Sequence, residues 1–226
     1  MAEFIFMLTR HDKTVPDALA VYEEIRSTGV RHVGFKDVGA PLGVLRELVR
    51  QIKSDGRTAY LEVVSVTARD ELRSIEAGVG LGVDVIMGGT HPNEAEDILR
   101  GSDALYYPFP GRVVDHPSVL VGSVEEIALS ASDLTARPYV HGLDLLAYRY
   151  GGDVPALISA VVGAAAGPVV AAGSIESPER IRKVGELGCW GFTIGGAVFE
   201  RRLVPDGDLS DQIERALLVA AAPVSA

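Results

Sequence analysis

A single cysteine, Cys189, in 226 residues leaves no intrachain disulfide and no cysteine-based zinc cluster, which fits a reducing compartment. Basic residues are in the minority. Twenty-one Lys and Arg against 31 Asp and Glu give a net charge of −10, which argues against a sequence-independent grip on nucleic acid or anionic lipid. A local basic patch that holds one small anion is still allowed. No uninterrupted apolar run reaches membrane-spanning length, and the opening MAEFIFMLTRHDK lacks both a basic n-region and a long apolar h-region. A soluble, cytoplasmic protein with no membrane partner is therefore expected. Also missing is the early glycine-rich phosphate loop of an open doubly wound sheet, since the first turn reads Thr9-Arg10-His11-Asp12-Lys13.

What is present is a chain with 47% apolar residues, enough for a sizeable core, and one pattern that recurs eight times: a short apolar run, a turn, then an amphipathic stretch ending near glycine. Strands are predicted at 3–9, 31–36, 58–64, 83–88, 104–107, 142–147, 168–172 and 191–194, with helices between them. Helix starts are marked chemically by Thr14-Val15-Pro16-Asp17, by Thr67 with Asp70 as a capping box, and by Ser177-Pro178-Glu179; Gly29, Gly56 and Gly82 sit where C-terminal caps are needed. Strict alternation implies parallel strands joined by right-handed crossovers. Eight units in this length predict one (β/α)₈ TIM barrel domain over 1–226, without large insertions. The fifth unit is the least regular, with Tyr107-Pro108-Phe109-Pro110-Gly111 followed by unpatterned sequence up to Ser123, and 216–226 ends in an Ala/Val-rich tail.

Barrel strands alternate between the helix layer and the lumen, so the large aliphatics mark the outward phase. In the second strand Val33 and Phe35 go out, leaving His32, Gly34 and Lys36 inside; in the third, Ala59, Leu61 and Val63 leave Tyr60, Glu62 and Val64; in the sixth, Leu143 and Leu145 leave Gly142, Asp144, Leu146 and Tyr148. Lys36 and Glu62 thus share the lumen near the C-terminal mouth, where neither charge belongs unless paired. They are candidates for proton transfer, weighed against a structural ion pair, and Asp144 is a third polar group of the same phase. Arg10, His11 and Asp12 after the first strand, His91 at the fourth mouth and Tyr148 at the sixth are candidate substrate contacts. Tyr106, Tyr107 and Tyr150 are further rim candidates, His141 is placed at the opposite end, and Cys189 is expected to be buried and inert.

Two glycine turns close the chain: Ala172-Gly173-Ser174 after the seventh strand and Ile194-Gly195-Gly196-Ala197 after the eighth. Bare backbone lets N–H groups approach an anion, and these two loops are where such barrels commonly hold phosphate. Gly173, Ser174, Gly195 and Gly196 are accordingly the candidate phosphate site.

Residues Ala172-Gly173-Ser174-Ile175, Ser177-Pro178-Glu179, Gly188 and Phe192-Thr193-Ile194-Gly195-Gly196-Ala197 resemble the ribulose-phosphate-binding barrels, which include histidine-biosynthesis phosphoribosyl isomerases and the N-acetylmannosamine-6-phosphate epimerase. The resemblance covers the last quarter and implies a phosphorylated small metabolite, with metal-free isomerisation or epimerisation in many members. No metal or other cofactor is expected. The histidine-biosynthesis isomerases carry aspartates after strands one and five; Asp12 suits the first, while 106–111 has no acid for the second, so no member's reaction is transferred.

The leading expectation is an isomerase or epimerase of a phosphosugar that uses Lys36 and Glu62. A Schiff-base aldolase or lyase with Lys36 as the amine is the alternative, and a non-catalytic phosphometabolite-binding protein is the reading from another class. Homo-oligomerisation is left open by the sequence.

Overall fold

The computed structural model describes residues 1–65, 67–115 and 117–222. Its main sheet has eight parallel strands: β1 Glu3–Met7, β2 His32–Lys36, β3 Thr58–Val63, β4 Val85–Gly88, β5 Leu105–Tyr107, β6 Leu143–Leu145, β7 Val169–Ala171 and β8 Gly191–Ile194. The ladders run 6-7-8-1-2-3-4-5. Between β5 and β6 there is no ladder, and the ring closes there through His141 N–H donating to Tyr106 O at 2.9 Å and Asp144 N–H to Pro108 O at 3.1 Å.

Helices α1 Ala18–Glu24, α2 Leu42–Ser54, α3 Ala68–Leu81, α4 Pro92–Leu99, α5 Val124–Thr135, α6 Val154–Ala164, α7 Pro178–Glu186, α8 Gly196–Phe199 and α9 Leu209–Ala221 alternate with the strands. The (β/α)₈ expectation therefore holds, and so does the period-two phase. Val33, Phe35, Ala59, Leu61, Val63, Leu143 and Leu145 pack in the large outer core between sheet and helices. A separate inner core of Ile5, Met7, Tyr60, Val85, Met87, Tyr107 and Val170 fills the lumen below the mouth. At about 25 cal/mol per Å² of apolar area removed from water, the outer layer is the larger source of stability.

Several local expectations change. Thr14 does not cap α1, whose N-cap is Asp17 without a side-chain bond. Instead its hydroxyl donates to Lys36 O and accepts from Lys36 N, both at 2.8 Å, and so clamps the end of β2. Gly29 closes no helix, because α1 already stops at Ile25, whereas Gly82 takes the left-handed C-cap of α3 at φ 73°. Thr67 and Ser177 cap α3 and α7 as expected, but Thr67 and Asp70 form no full capping box, because the Asp70 carboxylate accepts from the Thr67 hydroxyl and not from its backbone N–H. The unpatterned fifth unit contains an antiparallel ribbon, Arg112–Val114 with Val119–Val121, before the Ser123/Glu126 capping box of α5. β6 is shorter than 142–147 because the chain turns into a 3₁₀ helix at Ala147–Arg149. The last four residues of the Ala/Val-rich tail lie outside the described residues.

Among the described residues no helix is long and apolar enough to cross a membrane.

Candidate active site

At the C-terminal mouth lies a cavity of about 220 Å³ whose wall includes Thr9, His11, Asp12, Lys36, Glu62, Arg149, Gly173, Ser174, Gly195 and Gly196. Its floor is built by register. β2 and β3 pair Lys36 with Glu62 directly, so the side chains rise side by side, with Lys36 Nζ 3.3 Å from Glu62 Oε1.

The second partner of Lys36 arrives from the loop after β1. Thr9–Arg10 and Lys13–Thr14 form a tight antiparallel hairpin whose two central residues, His11 and Asp12, have φ of 50° and 62°. Positive φ at both central positions is the signature of a type I′ turn, which ordinarily uses glycine or asparagine. Here it turns the Asp12 carboxylate inward, where Oδ1 accepts a hydrogen bond from Lys36 Nζ. Because Thr14 in the same hairpin holds the Lys36 backbone, one short loop fixes both the lysine and its counter-ion.

Burial works to strip Lys36 of its proton, but Glu62 and Asp12 outweigh it and hold the amine above the ordinary lysine value as an ammonium. Glu62 is pushed the other way from a normal salt-bridged acid: its burial raises its affinity for a proton more than Lys36 lowers it. A cation that retains its proton thus stands beside a carboxylate readier than usual to accept one. Asp144 has the expected inward phase but lies beneath the cavity wall. It is fully buried, both carboxyl oxygens lack a hydrogen-bond partner among the described residues, and burial, aided by the Glu62 charge, raises it well above the ordinary aspartate value. Its neutral form is favoured over that of an ordinary aspartate.

The rim carries the two glycine turns. Gly173 and Ser174 lie in the left-handed region at φ 80° and 43°, and the N–H groups of Gly196 and Ala197 open α8 with no helical carbonyl behind them. A Cβ on Gly195 would fall 2.6 Å from Thr9 O, so only glycine allows β8 and the β1 hairpin to meet. Two carboxylates, Glu176 and Glu200, also line the mouth, and Arg202 pairs with both, at 2.9 and 2.8 Å.

The structure brings Lys36, Glu62, Asp12, His11 and the four rim residues into one cavity. It leaves Asp144 and three candidate substrate contacts off the cavity wall. Arg10 is exposed on the hairpin. His91 turns its Nδ1 to Glu71 Oε2 at 2.7 Å, where the buried Glu71 carboxylate also accepts the backbone N–H of Thr90 and His91. Tyr148 stacks under the Arg180 guanidinium, 4.8 Å from its ring centroid. Tyr106 points into the outer core and Tyr107 into the inner one, so neither forms the rim. His141 lies at the far end, where its Nδ1 accepts Tyr106 N–H, and burial pushes the Cys189 thiol up to about 12, consistent with an inert residue.

Arg149 is a charged cavity-wall residue that sequence reasoning missed. It ends the 3₁₀ turn after β6, and the only signal was its place at a strand's C-terminal mouth between Tyr148 and Tyr150.

No protein-family model and no curated relative matches the sequence. Solved structures do match in fold. Orotidine 5′-phosphate decarboxylase from Pyrococcus horikoshii OT3 aligns with 97% of this chain and 100% of its own, at 11% identity and TM-score 0.69. Thiamine phosphate pyrophosphorylase from Pyrococcus furiosus aligns with 97% of this chain and 95% of its own, at 17% identity and TM-score 0.62. The glycerol uptake operon antiterminator regulatory protein from Listeria monocytogenes aligns with 84% of this chain and 90% of its own, at 15% identity and TM-score 0.59. At 11–17% identity these matches show a shared fold, and they do so along nearly the whole chain.

Proposed function

We propose that this protein is an enzyme that moves a proton beside the carbonyl of a small phosphorylated, sugar-like metabolite, as an isomerase or epimerase. The observation that carries this reading is the pairing of a Lys36 ammonium with a proton-avid Glu62 on the floor of the same cavity whose rim is bare glycine backbone. An acid and a base on one reacting carbon are the minimum such chemistry requires. Glu62 takes the proton, and Lys36 donates to the developing oxyanion or to the carbon. Gly173, Ser174, Gly195 and Gly196 hold the phosphate. The names of the two Pyrococcus neighbours, both referring to phosphorylated compounds, support the substrate class. An amine held as ammonium between two carboxylates is a poor nucleophile, which counts against the Schiff-base alternative.

The test is incubation with a panel of pentose and hexose phosphates in heavy water. Deuterium is expected at a carbon next to the carbonyl, with the rate falling at least about 100-fold in Glu62→Gln and in Lys36→Arg, which keeps the cation but not a transferable proton. A borohydride-trapped adduct on Lys36 would replace this reading with the aldolase. Binding without exchange or turnover would replace it with a sensor, a role consistent with the regulatory Listeria neighbour.

The phosphate assignment has its own check. A Cβ on Gly196 would meet nothing closer than Glu200 Oε1 at 3.9 Å, so Gly196→Asp is accommodated. A carboxylate in the first turn of a helix is favourable for the helix. The variant should melt like the parent yet bind glycerol 3-phosphate at least about tenfold more weakly, through like-charge repulsion. Unchanged affinity would remove the phosphate from this rim.

A further inference from the structure

Arg149 has hydrogen-bonding capacity that the described residues do not use. Its Nη1 reaches Ser118 O and its Nη2 reaches Asp12 Oδ1, both only at 3.5 Å, the outer limit for a hydrogen bond. Its Nε is buried and has no acceptor among the described residues. The other fixed cation on the cavity wall, Lys36, is occupied by two carboxylates, and Arg202, which neutralises the acidic rim, is occupied by Glu176 and Glu200.

The Arg149 stem is also held in place. The left-handed turn at Gly173 leaves no room for a Cβ because Arg149 Cγ would lie 2.5 Å from it, and Arg149 N–H is bonded to Leu146 O at 3.1 Å. A buried donor left unpaired is unfavourable, and a ligand acceptor that pairs with it recovers that loss. In a guanidinium, Nε and Nη2 lie on one edge of the planar fork, the edge that matches the two oxygens of a carboxylate. Here Nη2 of that edge reaches Asp12, the residue bonded to Lys36, so the fork borders the Lys36–Glu62 floor of the cavity whose wall also carries Gly195 and Gly196.

We propose that Arg149 receives a carboxylate of the substrate, which makes the substrate a phosphorylated carboxylic acid. Its acid group lies beside the reacting carbon and its phosphate lies on the glycine rim. The inference rests on the proposed phosphate site and deepens it. On binding, the ligand carboxylate takes Nε and Nη2 and satisfies the orphaned donor.

Calorimetry with three small ligands at fixed ionic strength tests this. 3-Phosphoglycerate and glycerol 3-phosphate differ in the carboxylate, and 3-phosphoglycerate and glycerate differ in the phosphate. The parent should bind 3-phosphoglycerate at least about tenfold more tightly than glycerol 3-phosphate. Arg149→Gln should reduce that ratio to near one while glycerol 3-phosphate binding is kept. Arg149→Lys, which retains the charge and loses the fork, should recover only part of the ratio.

Equal loss for both phosphorylated ligands in Arg149→Gln would make Arg149 a phosphate ligand and overturn the carboxylate role. So would a parent ratio of one. If 3-phosphoglycerate instead binds no better than glycerate while the Arg149 dependence persists, the phosphate rim fails and the carboxylate site stands. Binding of none of the three overturns both.

Discussion

Lys36→Met is expected to destabilise the protein by about 3–5 kcal/mol, the cost of stripping one partner from a buried ion pair. The lysine side chain is 9% exposed, and removing it leaves the Asp12 and Glu62 carboxylates together at the bottom of the cavity with their shared cation gone. The pH dependence identifies the cause. In the parent, Lys36 has a folded pKa above its unfolded value, so its contribution is complete below the ordinary lysine value and is lost only in strong alkali. In the variant the controlling groups become carboxyls with raised folded pKa values, whose stabilising neutral form disappears as pH rises. The deficit measured by urea unfolding should therefore be smaller near pH ~4.5 than near pH ~8. A deficit of the same size at both would mean that lost packing, and not unpaired charge, dominates.

Asp144→Asn should have the opposite sign: a single substitution in the centre of the barrel that stabilises. The Asp144 carboxyl is fully buried with no hydrogen-bond partner among the described residues, and burial raises its pKa well above the ordinary value of 3.8. Between the unfolded and folded values the native state binds more protons than the unfolded chain. Stability therefore falls with rising pH, by about 1.4 kcal/mol per pH unit for one such group. Asparagine has nearly the same shape and no proton to lose. The variant and the parent should be about equal near pH ~4, with the variant gaining as pH rises above the unfolded aspartate value. Parallel stability curves for the two proteins would refute a protonated Asp144. A natural chain that retains a destabilising acid here is consistent with a role for it in the site, as a neutral group that keeps the negative charge beneath Glu62 from accumulating.

The parts of this site that a reader could take from the sequence are those governed by strand alternation. Lys36, Glu62 and Asp144 were placed in the lumen because Phe35, Leu61 and Leu145 had to face the helices, and nothing local competes with that rule in a parallel barrel. The glycine turns were legible for a related reason, since their position in the final two units is a property of the fold. Asp12 was visible only as one of three polar residues in a turn. Its role depends on a backbone with two successive positive φ values, which His-Asp does not advertise as Asn-Gly would. Thr14 was misread because Thr-Val-Pro-Asp reads as a helix start, and a clamp 22 residues along the chain on the Lys36 backbone leaves no local mark. Arg149 was missed because the strand period ends at Leu145, and a 3₁₀ turn then decides where the next side chains point.

The gap between β5 and β6 makes the barrel a split ring. Seven junctions are zipped by ladders, and the eighth is held by two backbone hydrogen bonds. Elastic give in such a ring collects at the slit, because widening it breaks the fewest bonds. β6 forms one lip of that slit and carries Asp144, with Arg149 just beyond its end, whereas Lys36 and Glu62 stand on the firmly laddered arc. Lys36 and Glu62, the proposed proton-transfer pair, are thus mounted on the laddered part of the ring, and Arg149 lies beyond the strand at its weakest seam. Strain from a ligand at Arg149 would fall first on that seam and last on the spacing of Lys36 and Glu62.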